Sequence, residues 1–254
     1  MKTEDYFNEK NSLKKNKIKS EPKMLNKFYT ENKNTFEIGV DEVGRGPLFG
    51  RVYTAAVILP KDDEFNFSLM KDSKKFHSKK KIEEVSNYIK EHAIAWHVSF
   101  IDEKIIDEIN ILQATQLSMH NSIKYIRDKI NKNQINISKK ENEDYNFHLL
   151  IDGNYFNPFT YLDETTNKIT CISHNTIEGG DNKYASIAAA SILAKVERDK
   201  YIDELCNNNP ELVLHYGIDS NKGYGSKKHL EGIKEHGITI WHRKTFGICK
   251  NYTI

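Results

Sequence analysis

A short stretch near residue 40 limits the fold more than any other part of this chain. Phe36, Ile38 and Val40 alternate with Glu37, Gly39 and Asp41, which is the period of a half-buried β-strand, and the run passes directly into Asp41-Glu42 and the glycines Gly44 and Gly46. Neighbours in a regular strand point to opposite faces. Bringing both carboxylates to one place is therefore expected to need irregular backbone at the strand's end, which the glycines permit. In isolation, an Asp-Glu-x-Gly sequence reads as a strand followed by an ordinary polar turn.

The rest of the chain supplies partners for such a strand. Val52–Leu59 and Ala93–Ile101 read as further strands, with a helix over Lys79–Glu91 between them that carries Ile82, Val85 and Ile89 at helical spacing. A longer helical stretch is expected from Asp102 to Ile130, broken near Asn110. Asn- and Lys-rich residues 131–146 read as a loop, Phe147–Ile151 as a short strand and Ile169–Ser173 as another. An Ala-rich helix is expected from Tyr184 to Cys206, a boundary at Pro210, and a last helix over Lys227–Glu235 ended by Gly237. This order implies an α/β fold, a mixed β-sheet flanked by helices with a small helical C-terminal subdomain. The expected division is a basic, disordered extension over 1–34, a core over 35–206 and the subdomain over 207–254.

Bulk properties exclude several classes. The longest apolar run, Ile187–Ala194, is far short of the ~20 residues that cross a bilayer. Met1–Asn11 lacks the apolar core of a secretory signal and is Lys-rich without Arg, which argues against a mitochondrial presequence. Cys171, Cys206 and Cys249 are scattered and odd in number, which suggests reduced thiols in a cytosolic or nuclear compartment, and a cytoplasmic protein is expected. The net charge of +2 does not announce a nucleic-acid binder, so basic surface must be local. Residues 1–34 carry nine Lys against five acids, and residues 71–81 six Lys against one. Residues 215–250 carry seven Lys or Arg against three acids, with four His. Each stretch alone reads as a solvated face.

Two further acids sit in places like that of Asp41. Asp152 ends the apolar run Leu149–Ile151 and precedes Gly153; Asp181 follows Gly179-Gly180 and precedes the Ala-rich helix. Either can be a turn residue or a helix cap, and Asp181 alone reads first as a cap. If Asp41, Glu42, Asp152 and Asp181 converge, their repulsion demands compensation. Hard, oxygen-binding cations such as Mg²⁺ or Mn²⁺ supply it.

Read in order, these segments resemble type 2 ribonucleases H, the ribonuclease HII family. The resemblance runs through Gly39–Pro47, Asp72–Lys75, Glu108–Thr115, Leu150–Gly153, Gly180-Asp181 with Ser186–Lys195 and Arg198-Asp199, Asn221–Gly225, and His242-Arg243. It implies a ribonuclease H-like fold and a two-metal site on Asp41, Glu42, Asp152 and Asp181, with Asp41 lying between the ions. It implies cleavage of the RNA strand of RNA–DNA hybrids and cutting 5′ of ribonucleotides in duplex DNA, leaving 5′-phosphate and 3′-hydroxyl ends, by a monomer with no membrane partner. Gly44, Arg45 and Gly46 are expected near the ribose 2′-hydroxyl, Tyr224 stacked at the RNA-to-DNA junction, and Lys74 and Lys195 against phosphates. Taken without the resemblance, Tyr224 reads as a packed loop tyrosine and the lysines as solvated surface. The alternatives are a type 3 ribonuclease H, disfavoured by Asp181 where that family commonly has Glu, and a catalytically silent nucleic-acid-binding module. Gly179 replaces a common Lys, Phe49 and Arg51 replace a common Ala and Pro, and the wide spacing of Asp152 and Asp181 implies a loop insertion around 157–168.

Overall fold

The computed structural model describes residues 24–62, 64–132, 146–163 and 166–253. Strand β1 (Thr35–Val43) pairs antiparallel with β2 (Val52–Ile58), which pairs antiparallel with β3 (Ala95–Ile101). On its other side β1 pairs in parallel with β4 (Asn146–Asp152), and β4 in parallel with β7 (Ser173–Ile177). The result is a mixed five-stranded sheet in the order β3-β2-β1-β4-β7. Between β2 and β3 lies α1 (Lys79–His92), capped by Ser78. Helix α2 (Glu103–Asn131) is capped by Asp102 and broken at Asn110, whose φ of 68° and ψ of 164° leave the helical region.

Three helices sandwich the sheet, one on one face and two on the other. Ile38, Val40, Ala56, Leu149 and Ile151 face the α2 side, packing with Met119, Ile123 and Ile126. The opposite face packs against α1 and α3 (Ala185–Asn208), where Ala55 and Val57 meet Ile89, Ala188, Ala189 and Ile192. The Ala-rich character of α3 follows from its proximity to β1. A Cβ on Gly39 would lie 2.2 Å from the Ser186 carbonyl carbon, so helix and strand touch backbone to backbone. This corrects the half-buried reading of β1, since both faces are covered and Phe36 through Asp41 are buried. The alternation survives as a division between two cores.

Glu37 shows how a charge is accommodated there. Its carboxylate accepts the amides of Tyr29 and Thr30 at 2.8 and 2.7 Å and pairs with Lys61 at 2.9 Å. These bonds hold residues 24–34 on the core, and Asn26 bridges to Tyr184 at the start of α3. The extension expected over 1–34 thus includes an ordered arm; its residues 1–23 lie outside the described residues. The expected insertion around 157–168 is a hairpin of β5 (Thr160–Asp163) and β6 (Lys168–Cys171), and the strand expected over Ile169–Ser173 divides between β6 and β7. After Asn208 come α4 (Pro210–Tyr216), with Pro210 in its first turn, α5 (Ile218–Asn221) and α6 (Lys227–His236), capped by Ser226. They pack with Phe49, Ile202 and Cys206 in a separate apolar cluster. No helix among the described residues is long and apolar enough to cross a membrane.

Candidate active site

The parallel register of β1 and β4 assembles the acidic centre. Val40 and Ile151 are the last paired positions, so Asp41 and Asp152 follow side by side on neighbouring strands, on the face that packs against α3. One carboxylate oxygen from each of Asp41, Glu42 and Asp152 lies within 4.8 Å of the others. Contrary to expectation, the backbone remains regular through this pair: Asp41 and Glu42 still pair with Ala55 and Thr54. The positive φ, 95°, comes at Gly44. The acids therefore converge through side-chain reach at the strand's end.

Asp181 lies beside this group in a 3-10 turn, Gly180–Asn182. It does not cap α3, whose N-cap is Tyr184 without a side-chain bond. The Gly180 amide donates to Asp152 Oδ1 at 2.6 Å, drawing the turn against β4. A Cβ on Gly180 would sit 2.5 Å from Ile187 Cδ1 and 3.3 Å from Asp152 Oδ1, so a larger residue there would have to push the Ile187 methyl aside. Asn182 Nδ2 donates to Asp181 Oδ1 at 3.0 Å and to Asp72 Oδ2 at 3.1 Å. The segment Asp72–Lys75 is thereby fastened over the site. Lys75 donates to Asn182, Lys74 Nζ stands 4.0 Å from Asp181, and the Ser73 and Ser191 hydroxyls bond at 3.0 Å. Ser191 in turn stands next to Asp41 and favours its charged form.

Burial pushes the Asp41 carboxyl well above its ordinary value; Glu42 and Asp152 add to the rise, and Ser191 and the bond from the Glu42 amide only oppose it. Burial also raises Glu42, with Arg45 opposing and Asp152 adding. Asp181 is raised by burial, then by Asp72 and Asp152, against Lys74 and Asn182. The protein's own cations do not neutralise the group. Every donor is a carboxylate oxygen and the ligand atoms are clustered, so the set fits hard divalent ions such as Mg²⁺ or Mn²⁺.

Next to the acids, residues 44–51 turn their carbonyls inward onto two buried guanidiniums. Arg243 donates to the carbonyls of Gly44, Arg45, Pro47 and Gly50 at 2.6 to 2.9 Å. Arg198 donates to Arg51 and Phe49 at 3.3 and 3.4 Å and to Lys222 at 2.9 Å. A Cβ on Gly44 would fall 2.4 Å from Arg198 Nε. Arg45 itself is exposed, with Nη1 3.4 Å from Glu42 Oε1. The Tyr224 ring stands next to the same loop, 3.5 Å from where a Gly46 Cβ would lie, and is 50% exposed. Lys195 is held by Asp199 at 2.7 Å, one turn further along α3. Sequence reasoning assigned no role to Ser191, Asn182, Arg198 or Arg243. Both arginines lay inside recognised segments, but nothing local marks an arginine as buried.

The departures have structural counterparts. Gly179 adopts a left-handed conformation with φ 61°, and a Cβ there would meet no atom within 4 Å. Arg51 is sandwiched between the rings of Phe100 and Tyr201, at 4.1 and 4.3 Å. Phe49 fills the space between α3 and the C-terminal helices.

Residues 38–249 match the Ribonuclease HII family. Among curated proteins, the chain is 43% identical to a ribonuclease HII of Bacteroides thetaiotaomicron over 85% of this chain and 92% of that one. It is 44% identical to one of Parabacteroides distasonis over 83% and 89%. In fold it is similar to the ribonuclease H2 of Pyrococcus horikoshii OT3, with a TM-score of 0.58 at 23% identity, covering 85% of this chain and 95% of that one. It is also similar to Bst-RNase HIII in complex with Mn²⁺, with a TM-score of 0.56 at 18% identity, covering 82% and 64%.

Proposed function

The chain belongs to the ribonuclease HII family, metal-dependent endoribonucleases of RNA–DNA hybrids, and on that premise we propose that it also cuts on the 5′ side of single ribonucleotides embedded in duplex DNA, with Asp41, Glu42, Asp152 and Asp181 as the acidic centre of a two-metal site. The observation that carries this reading is the convergence of Asp41, Glu42 and Asp152 oxygens beside Asp181, with the Gly44–Gly46 loop and the Tyr224 ring at their border. Divalent ions bound there would activate a water and stabilise the departing oxygen, leaving 5′-phosphate and 3′-hydroxyl ends. The remaining work falls to the chain. Asp181 and Asp152 are held in place by Gly180 and Asn182. Lys74, beside Asp181, meets a phosphate, and Lys195 contacts the backbone by exchanging its Asp199 partner.

Discrimination between RNA and DNA lies in the 44–46 loop. Phosphates are common to both substrates and confer affinity without sugar specificity. The 2′-hydroxyl both donates and accepts, and a site that bonds it rejects the deoxy analogue because its own polar groups are left unpaired. Gly46, exposed, lets the backbone approach the sugar, Gly44 keeps the loop tight over Arg198 so that its backbone lies alongside, and the Tyr224 ring stacks on the deoxyribose that follows. The enzyme works as a monomer in the cytoplasm, where the exposed Cys171 stays reduced.

The test is cleavage of matched duplexes with zero, one and four ribonucleotides, with Mg²⁺ or Mn²⁺, by wild type and Tyr224→Ala. The expected result is cutting of the one- and four-ribonucleotide duplexes, none of all-DNA, and a selective loss on the single-ribonucleotide duplex in the variant. Cutting of the longer tract alone by the wild type overturns the junction reading.

A further inference from the structure

We propose that His229 and His242 form a neutral imidazole pair that positions Tyr224 and thereby sets how well the enzyme handles a single-ribonucleotide junction; the proposal rests on the junction reading of Tyr224. The Tyr224 ring is half exposed, but its backbone is tied down. Its amide donates to the Asn221 carbonyl at 3.0 Å, and the preceding Gly223 carbonyl accepts the Leu48 amide at 2.9 Å. The Tyr224 carbonyl accepts from the Ser226 amide at 2.7 Å and from His229 Nδ1 at 2.9 Å. Of these ties, the one from His229 leads directly into the interior of the C-terminal helices.

The partners fix both tautomers. A carbonyl only accepts, so His229 Nδ1 carries a proton. The Thr239 amide, which only donates, points at His242 Nδ1 at 2.9 Å, and the Thr239 hydroxyl lies at the same distance, so His242 Nδ1 carries none. The two Nε2 atoms are 3.0 Å apart, a spacing that holds one shared proton. A neutral His242 has its proton on Nε2 and donates it to His229. The chain therefore runs in one direction, from Thr239 through His242 and His229 to the Tyr224 carbonyl. A cationic form of either ring would place two protons between the nitrogens or direct one at the Thr239 amide.

The surroundings enforce neutrality. His229 and His242 are 0% and 1% exposed. Phe49 meets His242 edge-on at 5.1 Å, and Tyr216 stands 5.2 Å from it. Burial pushes both imidazoles below their ordinary value, His242 to about 3. Apolar side chains could fill this space without the cost of burying polar rings. What they could not do is donate to the Tyr224 carbonyl. Phe49, in place of the common Ala, closes the pair from the side of the 44–51 loop, so loop and tyrosine share one support.

The two nitrogens of His229 can be separated by substitution. His229→Asn keeps an N–H near Nδ1 and its bond to Tyr224; His229→Gln keeps an acceptor near Nε2 and loses that bond. Rates on duplexes with one and four ribonucleotides are compared for wild type, both variants, Tyr224→Ala and the His229→Gln/Tyr224→Ala double variant. The expected result is a one-to-four rate ratio lowered on the order of tenfold by His229→Gln, the equivalent of one net hydrogen bond. His229→Asn should restore most of it, and the double variant should fall no further than Tyr224→Ala. A folded His229→Gln with the wild-type ratio, or equal ratios for Gln and Asn, overturns the positioning role. If Tyr224→Ala lowers the ratio and His229→Gln does not, the pair fails and the junction reading stands; if Tyr224→Ala leaves it unchanged, both fail. A measurement independent of variant folding is the ¹⁵N tautomer state of the wild type at pH 7. It should show His229 protonated at Nδ1 and His242 at Nε2, and a cationic ring or the opposite tautomers would overturn the pairing.

Discussion

This protein buries charge in two adjoining regions and treats it in opposite ways. At the ends of β1 and β4, like charges crowd together, and Asp41, Glu42 and Asp181 all shift toward their protonated forms. Behind the 44–51 loop, Arg198 and Arg243 are 1% and 0% exposed, yet their donors meet backbone carbonyls. The first region is frustrated until something positive arrives, whereas the second is largely complete as folded. The comparison teaches that burial alone does not mark a functional charge. What distinguishes the two is whether the polar partners are supplied by the chain itself.

The sharpest way to break this comparison is to neutralise one charge in each region. Asp41→Asn should reduce cleavage about 10³-fold or more, since a lost metal-ligand oxygen removes several kcal/mol of transition-state stabilisation. Measured in EDTA, its melting temperature should equal or exceed that of the wild type, because one repelling charge is gone. An active Asp41→Asn enzyme would remove that residue from the mechanism, and a strongly destabilised one would make the acidic cluster structural. Arg243→Met should behave in reverse. It strands the carbonyls of Gly44, Arg45, Pro47 and Gly50, and losses of about 1–3 kcal/mol for a buried unsatisfied group predict a drop of several kcal/mol in denaturant unfolding. An Arg243→Met protein as stable as wild type would show that the loop does not depend on it.

These regions also differ in how far the sequence exposes them. Asp41 and Asp152 are legible because an apolar strand stops at an acid with glycine within three residues after it, a local signal. Glu37 is not, because its burial depends on Lys61 and on an arm that reads as polar and aperiodic. Nor are the positions of Arg198 and Arg243, whose partners lie as far as 199 residues away. Of the β5–β6 hairpin only the second strand is legible, within Ile169–Ser173; β5 escapes because it is four residues long, with little apolar alternation. Local chemistry thus shows where the acids are, while the support around them is set by tertiary contacts.

Acid should separate the regions by sign. A buried histidine with a depressed folded value contributes stability that is present above its unfolded value near 6.5 and is lost as pH falls toward the folded value. For His242 that window runs from 6.5 down to about 3, at about 1.4 kcal/mol per pH unit for a single group. The raised carboxylates act oppositely, favouring the folded state when protonated. The difference in unfolding free energy between wild type and His242→Gln isolates the histidine. It should shrink steadily from pH 6.5 to 4.5. A constant difference over that range would mean that the ring takes up a proton in the folded protein.

The smallest expected effect comes from adding a cation to the frustrated region. Gly179 stands where the resemblance leads one to expect lysine, next to Gly180 and Asp181, and a Cβ there meets no atom within 4 Å. Space is therefore not the obstacle; backbone is. At φ 61° and ψ 39° the residue is left-handed, which costs a non-glycine residue about 1–2 kcal/mol. Gly179→Ala and Gly179→Lys should share that cost, lowering the melting temperature by about 2–8 °C at the ~2–4 °C per kcal/mol expected for a domain of this size. Only the lysine brings a charge to the duplex backbone. It should raise kcat/KM a few-fold at low salt and steepen the fall of binding with salt by about one phosphate contact, while Gly179→Ala leaves the salt slope unchanged. Equal slopes for the two variants would show that a cation at 179 does not reach the backbone, and that Lys74 alone serves this side of the acids.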